Sequence, residues 1–161
     1  MTISQKARDL VHGRFWIEWT NKFEESADTL ITPDNMDVMD EFNAAGTSEN
    51  DTPLQNKLTL WNHVHELIEY TVTDEWQTPA QTLERGKGDC EDYSFLMASM
   101  LEYLDPDENC IQVGYMDYPD GRTEEHVWNM ADGLLIDATG SPEVVGSMGY
   151  RPVREFQIER I

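Results

Sequence analysis

The chain has 161 residues, enough for one domain, and sets 32 Asp and Glu against 11 Lys and Arg for a formal charge of −21. Such a charge repels phosphate backbones and anionic lipid, so no nucleic-acid and no membrane partner is expected. No apolar run approaches the ~20 residues that cross a bilayer, and Met1 to Lys6 lack the charged-then-apolar order of a signal peptide, so a cytoplasmic location is expected.

Residues 4 to 31 read as helical, with Leu10, Phe15, Trp16, Trp19 and Phe23 near helical spacing. Pro33 stops that element, and Asp34 or Asn35 caps a short helix through Met36, Val38, Met39 and Phe42. Residues 44 to 53 form a polar loop. It divides a helical N-terminal extension (1–53), part of the same domain, from the main core (54–161). Leu54 to Val72 predicts a helix with the stripe Leu58, Trp61, Val64, His65 and Ile68. Trp61, like Trp16 and Trp19, reads as core, and His63 as a surface histidine.

A turn follows at residues 74–79, then a short helix or turn at 79–84, broken by Gly86 and Gly88. A second strong helix begins at Cys90 with Asp89 as its N-cap. Its apolar face is Tyr93, Leu96, Met97, Met100, Leu101 and Leu104. After Pro106 the period changes from helical to alternating. Ile111, Val113 and Tyr115 predict one strand and His126 to Ala131 a second. Asp132-Gly133 makes a hairpin turn to a third strand, Leu134 to Ala138. Val153, Phe156, Ile158 and Ile161 suggest a final, less regular strand. Helices first and an antiparallel sheet after give an α+β fold.

Chemistry concentrates at three points: Gly88-Asp89-Cys90-Glu91-Asp92-Tyr93, His126-Val127-Trp128 and Asp137-Ala138-Thr139. A thiol at the first turn of a helix faces unpaired N–H groups, which stabilise a thiolate and receive an oxyanion. Against this, Asp89, Glu91 and Asp92 raise the thiol pKa, so a cationic His126 must outweigh them. Most free cysteines are core residues, but a glycine-acid context is not apolar. Counting outward from the hairpin turn pairs Ala131 with Leu134 and Asn129 with Ile136. His126 and Asp137 then become diagonal neighbours on one face, as a carboxylate orienting an imidazole requires. Trp76 and Gln77 lie in the turn before the nucleophile, and Trp128 shares the His126 face. These three are candidates for the substrate groove or the oxyanion site.

Other constellations fall away. Cys90, Cys110 and His126 contain no short zinc-ligand pair. The acids from Asp105 onward lack the glycine and the bidentate glutamate of a calcium loop. No metal and no cofactor is expected. A Cys90–Cys110 disulfide would disable the nucleophile, so reduced thiols are expected. With the acids interleaved among aromatic and apolar residues, the charge reads as halophilic adaptation to a saline cytosol, the alternative being a partner with a basic surface. At ~1 M salt the Debye length falls to ~3 Å and crowded like charges cost little.

These motifs, with Trp76-Gln77-Thr78-Pro79 through Thr82-Leu83 ahead of them, resemble the transglutaminase-like superfamily of papain-like cysteine enzymes. The resemblance covers roughly residues 54 to 140. It implies a papain-like α+β core with Cys90 as nucleophile, His126 as general base and Asp137 as orienting residue. Val127 and Ser94 stand where the family often has Ala, and Ala138 where it often has Pro. None of these removes a catalytic atom. Small microbial members of the superfamily resemble cysteine peptidases. The expected function is therefore amide-bond chemistry on a protein or peptide through a thioester. Hydrolysis by a peptidase or amidase is favoured over acyl transfer to an amine. The alternative is a non-catalytic interaction module that keeps the fold.

Overall fold

The computed structural model describes residues 3–140 and 149–159, with side chains from Arg14 onward in the first helix. Leu10 and Ile161, two of the apolar positions above, lie outside the described side chains. The chain divides into two compact units, Met1–Leu30 and Ile31–Ile161. The first is a single helix, α1 (Ile3–Leu30), along which Trp19 stacks on Phe23 with ring centroids 5.3 Å apart.

In the second unit, α2 (Met36–Ala45) starts where Asn35 Oδ1 accepts from the backbone N–H groups of Asp37 and Val38. Val38 is buried in the same core as the later helices. α3 (Pro53–Leu67) opens with a reciprocal cap between Thr52 and Gln55. It buries Leu60, Trp61 and Val64 but leaves Leu58 exposed, because Lys57 occupies the inner face and pairs with Asp132 at 3.1 Å.

α3 stops at Leu67, short of the Val72 expected from its stripe. The next residues are taken by β1 (Glu69–Tyr70), which pairs in parallel with β2 (Lys87–Gly88) after the short α4 (Pro79–Arg85). A pairing across that interval overrides local helix preference.

α5 (Cys90–Leu101) is the centre of the fold. All its residues except Glu91 are buried, so its apolar surface extends round to Phe95 and Ala98. A four-stranded antiparallel sheet packs against it, built from β3 (Asn109–Asp117), β4 (Thr123–Ala131), β5 (Leu134–Ile136) and β6 (Tyr150–Gln157). The strand order is β5-β4-β3-β6. Ala131 pairs with Leu134, Met130 with Leu135 and Asn129 with Ile136, the register read from the hairpin turn. β5 ends one residue before Asp137, freeing that side chain from the ladder.

The register of β6 shifts between Val113 and Gly114 on β3. Gly114 allows this approach: a Cβ there would lie 2.1 Å from the Arg151 carbonyl oxygen. The mixed helical and antiparallel architecture is the α+β fold expected from the chain.

Candidate active site

The start of α5 is held by two carboxylates. Asp89 caps it: the Asp92 N–H donates to Asp89 Oδ1 at 3.4 Å, and Asp92 Oδ2 accepts from the Asp89 N–H at 3.0 Å. Asp92 also accepts from the Gln77 N–H at 2.8 Å and from the Thr73 hydroxyl at 3.1 Å. The 73–77 turn is thereby tied to α5. Burial raises the Asp92 carboxyl pKa against these bonds. Gly88 admits this packing, since a Cβ would meet Asp92 Cβ at 2.6 Å.

Cys90 sits at the first helical position, 9% exposed, and its thiol donates to Glu91 Oε2 at 3.2 Å. Burial is the largest influence on the thiol and pushes its pKa well up. The charges of Glu91 and Asp89 add to this, and a backbone hydrogen bond from Val127 opposes it. The lowering expected from the helix end is outweighed, because burial removes the solvation a thiolate needs. Glu91 is itself pushed up to about 7, first by burial and then by Asp89. Both cysteines are free thiols. Cys110 is buried in β3, donates to Gln157 Oε1 at 3.0 Å, and is raised to about 11 mainly by burial.

Asp137 and His126 meet. His126 Nε2 lies 2.7 Å from Asp137 Oδ2. The same oxygen accepts the Tyr150 hydroxyl at 2.6 Å. Oδ1 accepts the Thr139 N–H at 3.1 Å and the Thr139 hydroxyl at 2.5 Å. Burial alone would raise the Asp137 pKa; the hydrogen bonds and charge of His126, then Thr139 and Tyr150, hold it below the usual carboxylate range. An ionised carboxylate only accepts, so His126 carries its proton on Nε2 and leaves Nδ1 as the basic nitrogen. Trp61 fixes the backbone here by donating its indole N–H to the Asp137 carbonyl at 2.8 Å, and His65 Nδ1 lies 2.7 Å from the Ala138 carbonyl.

Of the three groove or oxyanion candidates, Trp128 stacks near His126 with ring centroids 5.9 Å apart and spends its indole N–H on Gln112 Oε1 at 2.9 Å. Gln77 is buried, and its side-chain amide donates to Thr82 Oγ1 and the Lys87 carbonyl while accepting from Arg85. Neither has a side-chain N–H left for an oxyanion. Trp76 is partly buried and packs edge-on against Phe95 at 5.3 Å.

Sequence reasoning did not single out Tyr150 or the grip of Thr139. Thr139 carried a signal, since an Asp followed two residues later by a donor is an Asx-turn pattern. Tyr150 carried none, because β6 reaches the site only through the sheet. Among the described residues no cluster of three or more metal-ligating side chains forms, and no helix is long and apolar enough to cross a membrane.

Solved structures that share the fold include the following three. A candidate cysteine protease of Cytophaga hutchinsonii superposes with a TM-score of 0.59 at 14% identity, covering 80% of this chain. This chain spans 44% of that protein's length. Legionella pneumophila LapG gives a TM-score of 0.59 at 15% identity over 84% of both chains. Its calcium-bound form gives 0.54 at 16%, over 74% of this chain and 71% of that one. No curated protein matches the chain in sequence. The sequence profile of the Transglutaminase-like superfamily matches residues 40–131, spanning the Cys90 and His126 motifs and more than half of the chain. The chain belongs to the transglutaminase-like superfamily.

Proposed function

We propose that the protein is a cysteine enzyme that hydrolyses amide bonds in a protein or peptide, with Cys90 as nucleophile, His126 as general base and Asp137 as its orienting partner. The supporting observation is the 2.7 Å contact of His126 with Asp137, one residue before the Val127 backbone that hydrogen-bonds to Cys90.

The thiol proton passes to His126 Nδ1 and the sulfur attacks the carbonyl carbon. The oxyanion that forms is received by backbone N–H at the start of α5. Collapse breaks the C–N bond, and the amine leaves with the proton from His126. Water then attacks the thioester, gives a proton to His126, and releases the acid and the thiol. Glu91 must swing off the sulfur for substrate to reach it.

The burial of Cys90 and its bond to Glu91 favour a second reading, an interaction module with an inert thiol. Alkylation by iodoacetamide near neutral pH, followed at each cysteine by mass spectrometry, separates the two. Hydrolysis predicts that Cys90 reacts and that His126→Ala slows it. Cys90→Ala abolishes any amide hydrolysis, while Cys110→Ala leaves it unchanged. Equal Cys90 alkylation rates with and without His126 refute the enzyme and leave the module.

A further inference from the structure

Resting on the proposed Cys90–His126–Asp137 reading, the geometry points to Tyr150 as a positioning residue that sets the strength of the Asp137–His126 hydrogen bond. Both donors share one oxygen: Asp137 Oδ2 takes His126 Nε2 at 2.7 Å and the Tyr150 hydroxyl at 2.6 Å. Two donors on one oxygen divide its electron density, so a stronger bond from the phenol weakens the bond from the imidazole.

The carboxylate cannot escape this competition by turning. Oδ1 is already held twice by Thr139, and the Asp137 carbonyl is held by Trp61. Water is a poor substitute for the phenol, because Asp137 is only 5% exposed. Burial first, then the charge of Asp137, raise the Tyr150 pKa, so the phenol stays protonated and remains a donor.

The fold delivers Tyr150 deliberately to this place. Met116 on β3 pairs with Tyr150 on β6, and the register shift at Gly114 lies directly across β3 from His126, which pairs with Gly114 on β4. The Tyr150 ring stands 5.0 Å from Trp128 and 6.1 Å from His126, confining the imidazole from a second side. In the proposed reaction His126 must take a proton and give it back. An undivided carboxylate would hold the imidazolium too firmly for the second step, and the phenol tempers it.

The test uses two full-length variants in opposite directions. Tyr150→Phe keeps the ring and removes the donor. 3-Fluorotyrosine at position 150 keeps the hydroxyl and makes it a stronger donor, so it preserves every packing contact if the Phe variant fails to fold. The readout is the nitrogen-15 resonance of His126 Nε2, followed through its ring protons at one pH. The expected result is a downfield shift in Tyr150→Phe, as the imidazole bond strengthens, and an upfield shift with fluorotyrosine. A purely structural tyrosine would not give shifts of opposite sign. An unmoved resonance with fluorotyrosine, or shifts of the same sign in both, overturns the inference. The outcome is independent of the enzyme reading: if His126→Ala leaves Cys90 alkylation unchanged, that reading fails whether or not the Tyr150 shifts appear.

Discussion

Replacing Asp137 by Asn tests how the buried carboxylate supports the proposed nucleophile, Cys90. Asp137 lies 2.7 Å from His126 Nε2 and is 5% exposed. Coulomb's law at an effective dielectric of about 20 and ~4 Å gives an attraction of ~4 kcal/mol for such a pair. Removing the charge therefore lowers the population of the proposed Cys90 thiolate–His126 imidazolium pair by up to roughly a thousandfold. Cys90 cannot compensate, because burial, Glu91 and Asp89 all push its thiol toward the protonated form.

The geometry adds a second loss. Four donor contacts converge on the carboxylate. An amide that keeps its oxygen toward Thr139 turns its NH2 toward His126. His126 must then present a bare Nε2 and carry its proton on Nδ1, the nitrogen needed as base. The serine triad loses about 10⁴ in turnover by this tautomer error, so amide hydrolysis here should fall by roughly 10³ to 10⁴. Stopped alkylation with iodoacetamide at pH 7 measures the first effect, and cleavage of a chromogenic peptide measures the second. A Cys90 alkylation rate in Asp137→Asn within about twofold of the unmodified protein would refute the reasoning, because even ~1.4 kcal/mol of lost attraction, a third of the Coulomb figure, is tenfold.

Glu91→Gln should accelerate Cys90 alkylation at pH 8, where the carboxyl is ionised and raises the thiol pKa; a slower rate would assign Glu91 an activating role instead. The same variant should gain stability over the unmodified protein as pH rises from 4.5 to about 7. A carboxyl whose folded pKa is raised above its unfolded value contributes fully below the unfolded value and loses that contribution as pH climbs through the folded one. Melting temperatures at pH 5 and pH 8 check this, and a difference between the two proteins that does not change with pH contradicts it. Gly114→Ala should cost about 2 to 3 kcal/mol in denaturant unfolding, because its Cβ would meet the Arg151 carbonyl oxygen at 2.1 Å and Pro152 Cα at 2.9 Å, pushing β6 and Tyr150 away; a neutral substitution would show that β6 adjusts freely. The −21 charge should make folding salt-dependent, with the melting temperature rising from low salt to molar KCl; a flat or falling trend removes the saline-cytosol interpretation.

The parts of the site whose causes are local were legible in the residues alone. Asp89 before an apolar helix is a cap wherever that helix packs, and the structure has it capping α5 at Cys90. Asp132-Gly133 leaves one compact turn, so the pairing of Asn129 with Ile136 follows by counting, and the His126–Asp137 neighbourhood follows from that pairing. What only the tertiary structure decided depends on residues distant in the chain. α3 yields at Leu67 because Glu69 and Tyr70 find Lys87 and Gly88, a partner no helical stripe reveals. Gln77 looks like a free amide in a turn until the fold spends its donors on Thr82 and Lys87. Cys90 has the helix end that lowers a thiol pKa, yet packing against the sheet strips its solvent and Glu91 turns onto it, and desolvation wins over a partial charge. Tyr150 reaches Asp137 because β6 crosses beside β3 where Gly114 has no side chain, a meeting set by the sheet and not by any local pattern.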